Sequence, residues 1–407
     1  MTVDVLWREY RAFQARGERL DLSRGKPSAE QLALSRPMLM QADMDYTLED
    51  GSDARNYGHP TGIPETRRLL GQLLGAPMEQ VIAGGNSSLG MLHDVLMRAR
   101  LLGPLPGDTP WPRGARILCP VPGYDWHFHM LDTLGFTAVP VPTLPTGPDM
   151  DAVESLIRDP SVKGLVCVPM YGNPTGITVS DETVERLARM QPAAPDFRIF
   201  WDNAYPVHHL YSDRRDHLKN LLSACSQAGC ADRAMMFTSF SKITYPGGGM
   251  AGLAASPRNI AYQSELTLYQ HVCFDNMSQL RHARFLPDMQ AVESHMARHA
   301  AILRPKFTCV QQALAAELSG LARWSQPCGG YFVCLEAPQG CARRTVQLCR
   351  EAGVTLTPAG APFPHEQDPR DSVIRLAPSY PSLCEVERVM ALLPLAVKLA
   401  EAEAGAY

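Results

Sequence analysis

Between residues 115 and 240 the chain alternates two hydrophobic periodicities, and this alternation restricts its fold more than any other feature. ARILCPVP (115–122), VKGLVCVPM (162–170), FRIFWD (197–202) and AMMFTSF (234–240) are short apolar runs bounded by Pro, Gly or Asp, and they read as buried strands. Between them, HFHMLDTLGF (127–136), DMDAVESLIRD (149–159) and SDETVERLARM (180–190) carry apolar residues at helical spacing, the last opening on Ser180 with an acidic first turn. Strands separated by helices predict a mostly parallel sheet covered on both faces.

The pattern then changes. Residues 276–318 read as a long helical tract broken by Pro287 and Pro305, followed by the strand-like GGYFVCLEA (329–337), a helix near 343–352 and the strand-like SVIRLAP (372–378). This tail predicts a smaller α+β domain joined by the N-terminal segment: residues 1–45 plus 291–407, against a large domain over 46–290. LLGPLPGDTPWPRG (101–114) and PVPTLPTGPDM (140–150) read as Pro/Gly loops. A length of 407 residues is ample for such a division.

Composition removes several classes of function. With 45% hydrophobic and 20% charged residues the chain resembles ordinary soluble proteins. A net charge of −4 without a basic run argues against nucleic acid as a partner. Eleven scattered cysteines without a C-x-x-C pair suggest reduced thiols in a cytoplasmic protein, not a disulfide framework or a metal site. The N-terminal segment lacks the apolar core of a signal peptide, and no window approaches the ~18 apolar residues of a membrane span.

TSFSKITYPGGGMAG (238–252) places Lys242 just after a buried run, where desolvating an ammonium is costly. A lysine kept dry has a lowered pKa and suits Schiff-base chemistry. Other strand ends carry groups that such chemistry requires. FWDNAYPVHH (200–209) offers Asp202 and Tyr205, MYGNPTGITVS (170–180) offers Asn173, and PVPGYDWHFHM (120–130) offers Tyr124 as a stacking ring. VIAGGNSSLGMLHDVLMRA (81–99) is a strand, small residues and a helix, and offers a phosphate cup that matches neither a P-loop nor G-x-G-x-x-G. VIRLAPSYP (373–381) offers Arg375 as a fork for a carboxylate. Each of these has an easy structural reading alone. Together they meet the needs of pyridoxal 5′-phosphate, which wants a lysine, a carboxylate at its ring nitrogen, a donor at its phenolic oxygen, a stacking ring and a phosphate cup.

Their order resembles the class I aminotransferases of the type I pyridoxal-phosphate fold, and the Arg-Gly-Lys-Pro start and triple-glycine loop resemble a divergent bacterial branch of aspartate aminotransferases. The resemblance runs from LDLSRGKPS (20–28), through NYGHPTGIPETRRLL (56–70), to the C-terminal arginine. It implies an α/β fold with a mostly parallel seven-stranded sheet, a homodimer, and transfer of an amino group from an L-amino acid, aspartate by expectation, to 2-oxoglutarate. It also implies roles. Lys242 is the Schiff-base lysine, Asp202 holds the ring nitrogen, and Asn173 and Tyr205 bind the phenolic oxygen. Tyr124 stacks on the ring. Asn86, Ser87, Ser88, Ser239 and the neighbouring subunit's Tyr57 hold the phosphate. Gly25, Asn173 and Arg375 face the substrate.

One position departs from the family. Members usually carry a phosphate-binding arginine eight residues after the lysine, where this chain has Met250. The residue that would bind a distal carboxylate stays open among Arg24, Lys26, Arg281 and Arg284. Ser239-Phe-Ser-Lys242 also fits S-x-x-K of penicillin-recognising enzymes, but S-D-N and K-T-G are missing. A cofactor-binding transcription regulator needs a basic DNA-binding domain ahead of the fold, and only about twenty residues precede Arg-Gly-Lys-Pro. Transaminases of other amino acids, and lyases on the same scaffold, stay open as alternatives.

Overall fold

The computed structural model describes residues 2–41 and 44–405. Its main sheet runs in the order Val81–Gly84, Ala251–Ala255, Ala234–Ser239, Arg198–Asp202, Val162–Cys167, Arg116–Val121, Thr137–Leu144, with the two-residue strand Gly147–Pro148 added at the far edge. Five adjacent strands, from Ala234–Ser239 to Thr137–Leu144, are parallel; Ala251–Ala255 is antiparallel to both of its neighbours. The seven expected strands are therefore present, and the eighth pairs only through Thr143 and Leu144.

Both faces of this sheet are covered, as the unbroken apolar runs require. Successive residues of a strand point to opposite faces, and Ile199 and Trp201 enter one core with Leu165, Leu187 and Met236. Phe200 and Phe237 enter the other, against Leu92 and Leu96 of the helix Ser88–Leu102 and Phe128 of the helix Asp125–Thr133. Ser180 caps the helix Asp181–Arg189 by accepting from the Thr183 N–H, as its position suggested.

Two expectations needed correction. Residues 140–150 are not simply a loop, because the edge strand Thr137–Leu144 runs through Pro140 and Pro142. The Thr137 N–H donates inward to Ala115, while the Pro142 carbonyl accepts from Asp149 on the outer side. Residues 140 and 142 thus turn their donor-less nitrogens away from the parallel ladder, which an edge strand tolerates. Nor does Pro305 break its helix, which is continuous over Met289–Leu318. Pro305 and Ala301, whose carbonyl loses its usual donor, are both exposed. Buried Leu303, Phe307 and Val310 on the opposite face hold the helix through the defect. Pro287 does separate two helices, and Asp288 caps the second through the Ala291 N–H.

A second set of elements lies beyond the main sheet. The antiparallel strands Arg323–Trp324, Val333–Glu336 and Val373–Leu376 pack with the helices Val3–Gln14, Ala342–Glu351 and Leu383–Ala404. Tyr10, Phe307, Leu335, Leu348, Leu376 and Val389 belong to its core. A short parallel pair, Leu20–Asp21 with Val354–Thr355, ties the N-terminal segment to it.

Candidate active site

A cavity of about 1010 Å³ opens at the carboxyl ends of the parallel strands and is closed from the other side by the second set of elements. Ligands of open α/β sheets bind at this place. Of the residues singled out in the sequence, Gly25, Asn86, Ser87, Ser88, Tyr124, Asn173, Asp202, Tyr205, Ser239, Lys242 and Arg375 all line it. Tyr57 does not; it is 81% exposed on the surface of its own chain.

Lys242 sits in the turn that follows Ala234–Ser239, with its Nζ 5.0 Å from the centroid of the Tyr205 ring. Burial lowers its pKa from the ordinary lysine value, and the nearby Asp202 charge opposes the shift. Its backbone carbonyl accepts a hydrogen bond from the Tyr331 hydroxyl at 3.1 Å. The turn is tied to the small-residue loop, since Ser241 Oγ donates to the Asn86 carbonyl at 2.7 Å and Asn86 Nδ2 donates to the Pro246 carbonyl at 3.0 Å. Ser87 is the N-cap of Ser88–Leu102 but makes no side-chain cap hydrogen bond. The first N–H groups of that helix, with the Ser87 and Ser88 hydroxyls, form an anion-favouring corner.

Asp202 ends its strand on the neighbouring position of the sheet and is 2% exposed. A carboxylate can only accept, so the His127 Nε2–H donates to Oδ2 at 3.0 Å. Oδ1 is buried and has no hydrogen-bond partner among the described residues. His127 belongs to the helix after Tyr124, and the two rings meet edge to face with centroids 5.0 Å apart. Burial and the charges of Asp202 and Asp125 push the Tyr124 hydroxyl up. Burial likewise raises Tyr205.

Arg375 projects from Val373–Leu376 and is buried. Its Nη1 donates to Asn173 Oδ1 at 3.3 Å and to Asp125 Oδ1 at 2.8 Å, and Nε donates to Thr357 Oγ1 at 3.2 Å. The guanidinium carbon lies 5.4 Å from the Phe332 ring centroid. Gly25 is required by this ring: a Cβ there would stand 2.1 Å from Phe332 Cζ.

Met250 is fully buried and packs in the apolar core with Phe240 and Ile243, away from the cavity. Of the four cations considered for a distal carboxylate, Arg24 lines the cavity. Lys26 instead stacks 4.0 Å from the Tyr380 centroid, Arg284 donates to the Thr47 carbonyl, and Arg281 is exposed. Sequence reasoning missed Arg343 and Arg350, which reach the cavity wall from one face of Ala342–Glu351, with Val346 and Gln347 between them. It also missed Asp125, His127 and Trp126. The one available signal was His127, placed three residues after Tyr124 on a predicted helix.

A sequence model of the aspartate amino-transferase family matches residues 3–406. The chain belongs to this family. The enzyme is 41% identical over 401 residues to the aspartate aminotransferase of Corynebacterium glutamicum, covering 97% of this chain and 93% of that one. It is 43% identical over 405 residues to an aminotransferase of Mycolicibacterium smegmatis, covering 98% and 94%. An aspartate transaminase structure from Corynebacterium glutamicum superposes with a TM-score of 0.95 at 40% identity, over 99% of this chain and 96% of that chain. At 21% identity, the α-aminoadipate aminotransferase of Thermus thermophilus, solved with N-(5′-phosphopyridoxyl)-L-leucine, shares the fold with a TM-score of 0.74, covering 98% and 95%. The transaminase thus has the type I fold of pyridoxal-phosphate enzymes.

Proposed function

We propose that the enzyme is a pyridoxal-phosphate-dependent aspartate transaminase that uses 2-oxoglutarate as acceptor. The observation that carries the dicarboxylate reading is the charge of the cavity wall, where the described residues place Arg24, Arg343, Arg350 and Arg375 against Asp125 and Asp202. Such an excess favours a substrate with a second carboxylate and a phosphorylated cofactor.

The residues fit that cofactor. Asp202 Oδ1, buried and unpartnered among the described residues, is an acceptor that a protonated ring nitrogen would satisfy. When bound, the cofactor supplies an electron sink for the bond electrons at the substrate Cα. The protein's residues do the rest. The Lys242 amine, its pKa lowered by burial, takes and returns the proton at the substrate Cα. Arg375 orients the substrate through its α-carboxylate, and Asn173 and Tyr205 bind the phenolic oxygen. Tyr124 would stack on the ring. With Met250 in the core, the phosphate would fall to Asn86, Ser87, Ser88, Ser239 and the helix N-terminus. In a homodimer, the neighbouring subunit's Tyr57 would complete this set. We further propose that residues 46–290 form the large domain and 1–45 plus 291–407 the small one, and that the enzyme works in the cytoplasm. No described helix is long and apolar enough to cross a membrane.

A panel of amino donors against 2-oxoglutarate tests the reading, with aspartate expected to give the highest kcat/KM. One observation favours a second reading: Trp126 lines the cavity while 56% exposed, an apolar wall suited to aromatic donors. A panel led by aromatic donors would replace aspartate with that class, and turnover without an oxo acid would point to a lyase.

A further inference from the structure

The α-carboxylate site of the proposed function already holds a carboxylate. Asp125 Oδ1 accepts from Arg375 Nη1 at 2.8 Å and Asp125 Oδ2 accepts from Nη2 at 3.4 Å. Two parallel contacts between a guanidinium edge and both oxygens are the arrangement an incoming carboxylate would adopt. The pair is largely withdrawn from water, with side chains 9% and 15% exposed, yet both residues line the cavity. It also joins elements of different origin. Arg375 comes from the three-stranded sheet, while Asp125 opens the helix that follows Tyr124.

We propose that Asp125 is a gate on this site: it occupies the edge of Arg375 that the substrate's α-carboxylate takes, and it leaves when that carboxylate arrives. This rests on the assignment of Arg375 to the α-carboxylate. The Nε–H donates to Thr357 and the second Nη1 N–H to Asn173, so the remaining Nε/Nη2 edge is already half engaged and no second two-point edge stands ready. If Asp125 stayed, two carboxylates would crowd one guanidinium in a largely dry site, which like-charge repulsion opposes. Exchange keeps one anion on one cation throughout. The freed Asp125 stays at the N-terminus of the nine-residue helix Asp125–Thr133, where the helix dipole continues to favour its charge. A ligand without a carboxylate cannot make the exchange. The gate thus screens for α-carboxylates, and it lowers apparent affinity to the fraction of molecules in which it stands open.

Titration calorimetry of succinate, which has no amine to transfer, into wild-type holoenzyme, Asp125→Asn and Arg375→Lys tests this without turnover. For a gate closed about ten to one, Asp125→Asn should bind succinate about tenfold tighter, and the KM for amino donors should fall in parallel. Damage to the fold would loosen binding. Loss of the Asp125 charge alone would favour dianionic succinate over a monocarboxylate such as propionate, whereas an opened gate tightens both by the same factor. Asp125→Ser serves the same comparison if the asparagine variant does not fold. Equal or weaker binding in the Asp125 variants, with binding lost in Arg375→Lys, would overturn the gate and make Asp125 a positioning residue for Arg375. Wild-type affinity in Arg375→Lys would instead remove Arg375 from the carboxylate site, and the gate with it.

Discussion

Replacing Asp202 with Asn should move stability and activity in opposite directions. One Asp202 carboxylate oxygen is held by His127, and the other is buried without a partner among the described residues. An unmet buried acceptor costs about 1–3 kcal/mol, and more when it is charged. Asparagine keeps an oxygen for the His127 Nε2–H and puts a neutral amide in place of the buried charge, although its Nδ2 is then the unpartnered group. The variant without cofactor should therefore be at least as stable as wild type, gaining about 1 kcal/mol from the lost charge, read as an upward shift of the urea midpoint. Turnover should fall at least about 100-fold, the usual cost of losing a preorganised electrostatic partner. Asp202→Glu retains the charge and should recover part of that loss. A variant less stable than wild type would mean that the second oxygen is already well satisfied. Near wild-type turnover in Asp202→Asn would mean that the essential carboxylate lies elsewhere.

Three further outcomes are expected. Tyr57→Phe should release cofactor measurably faster during dialysis, followed by visible absorbance, and equal retention would remove Tyr57 from the phosphate site. Gly25→Ala should push Phe332 out from under Arg375, because the new Cβ would lie 2.1 Å from Phe332 Cζ; KM for carboxylate substrates should rise about tenfold, roughly 1.4 kcal/mol, and an unchanged KM would show that the ring does not support the arginine. Stability should decline as pH falls from about 6.5 towards 4. Burial holds His295 at about 4 and His299 at about 3, so the unfolded chain binds protons first over that range and the fold loses ground. His299 contacts His295 and Gln31, and His295 faces Arg298 and the Ile243 carbonyl. His299→Gln should flatten the decline in urea midpoint with pH, and an unchanged slope would place the acid lability in other groups.

The parallel strands were legible because burial on both faces leaves continuous apolar runs, and the helices between them because their apolar residues recur at helical spacing. Ala251–Ala255 was not legible. Apart from Leu253 it consists of small residues without a β-branched signal, and a Cβ at Gly252 would already stand 3.0 Å from Leu70 Cδ2, so close helix packing explains its composition. The edge strand through Pro140 and Pro142 escaped because proline signals a loop unless the outward side of the ladder is known. Within the site, residues at strand ends were readable, since chain order and the ends of parallel strands locate them. Asp125 escaped because it falls between Tyr124 and the helical segment read from residue 127, and its partner Arg375 lies 250 residues away. Arg343 and Arg350 share a helical face, but only tertiary packing turns that face toward the cavity.

Borohydride reduction of the cofactor-loaded enzyme, followed by peptide mapping of the modified lysine, shows which amine holds the cofactor. Reduction fixes the cofactor to whichever amine holds its aldehyde, and a single modified peptide carrying Lys242 is expected. Lys242→Ala should take up cofactor without becoming labelled and lose turnover by several orders of magnitude. Labelling of another lysine, or no labelling of a loaded wild-type enzyme, would contradict the assignment of Lys242 and the roles built around it.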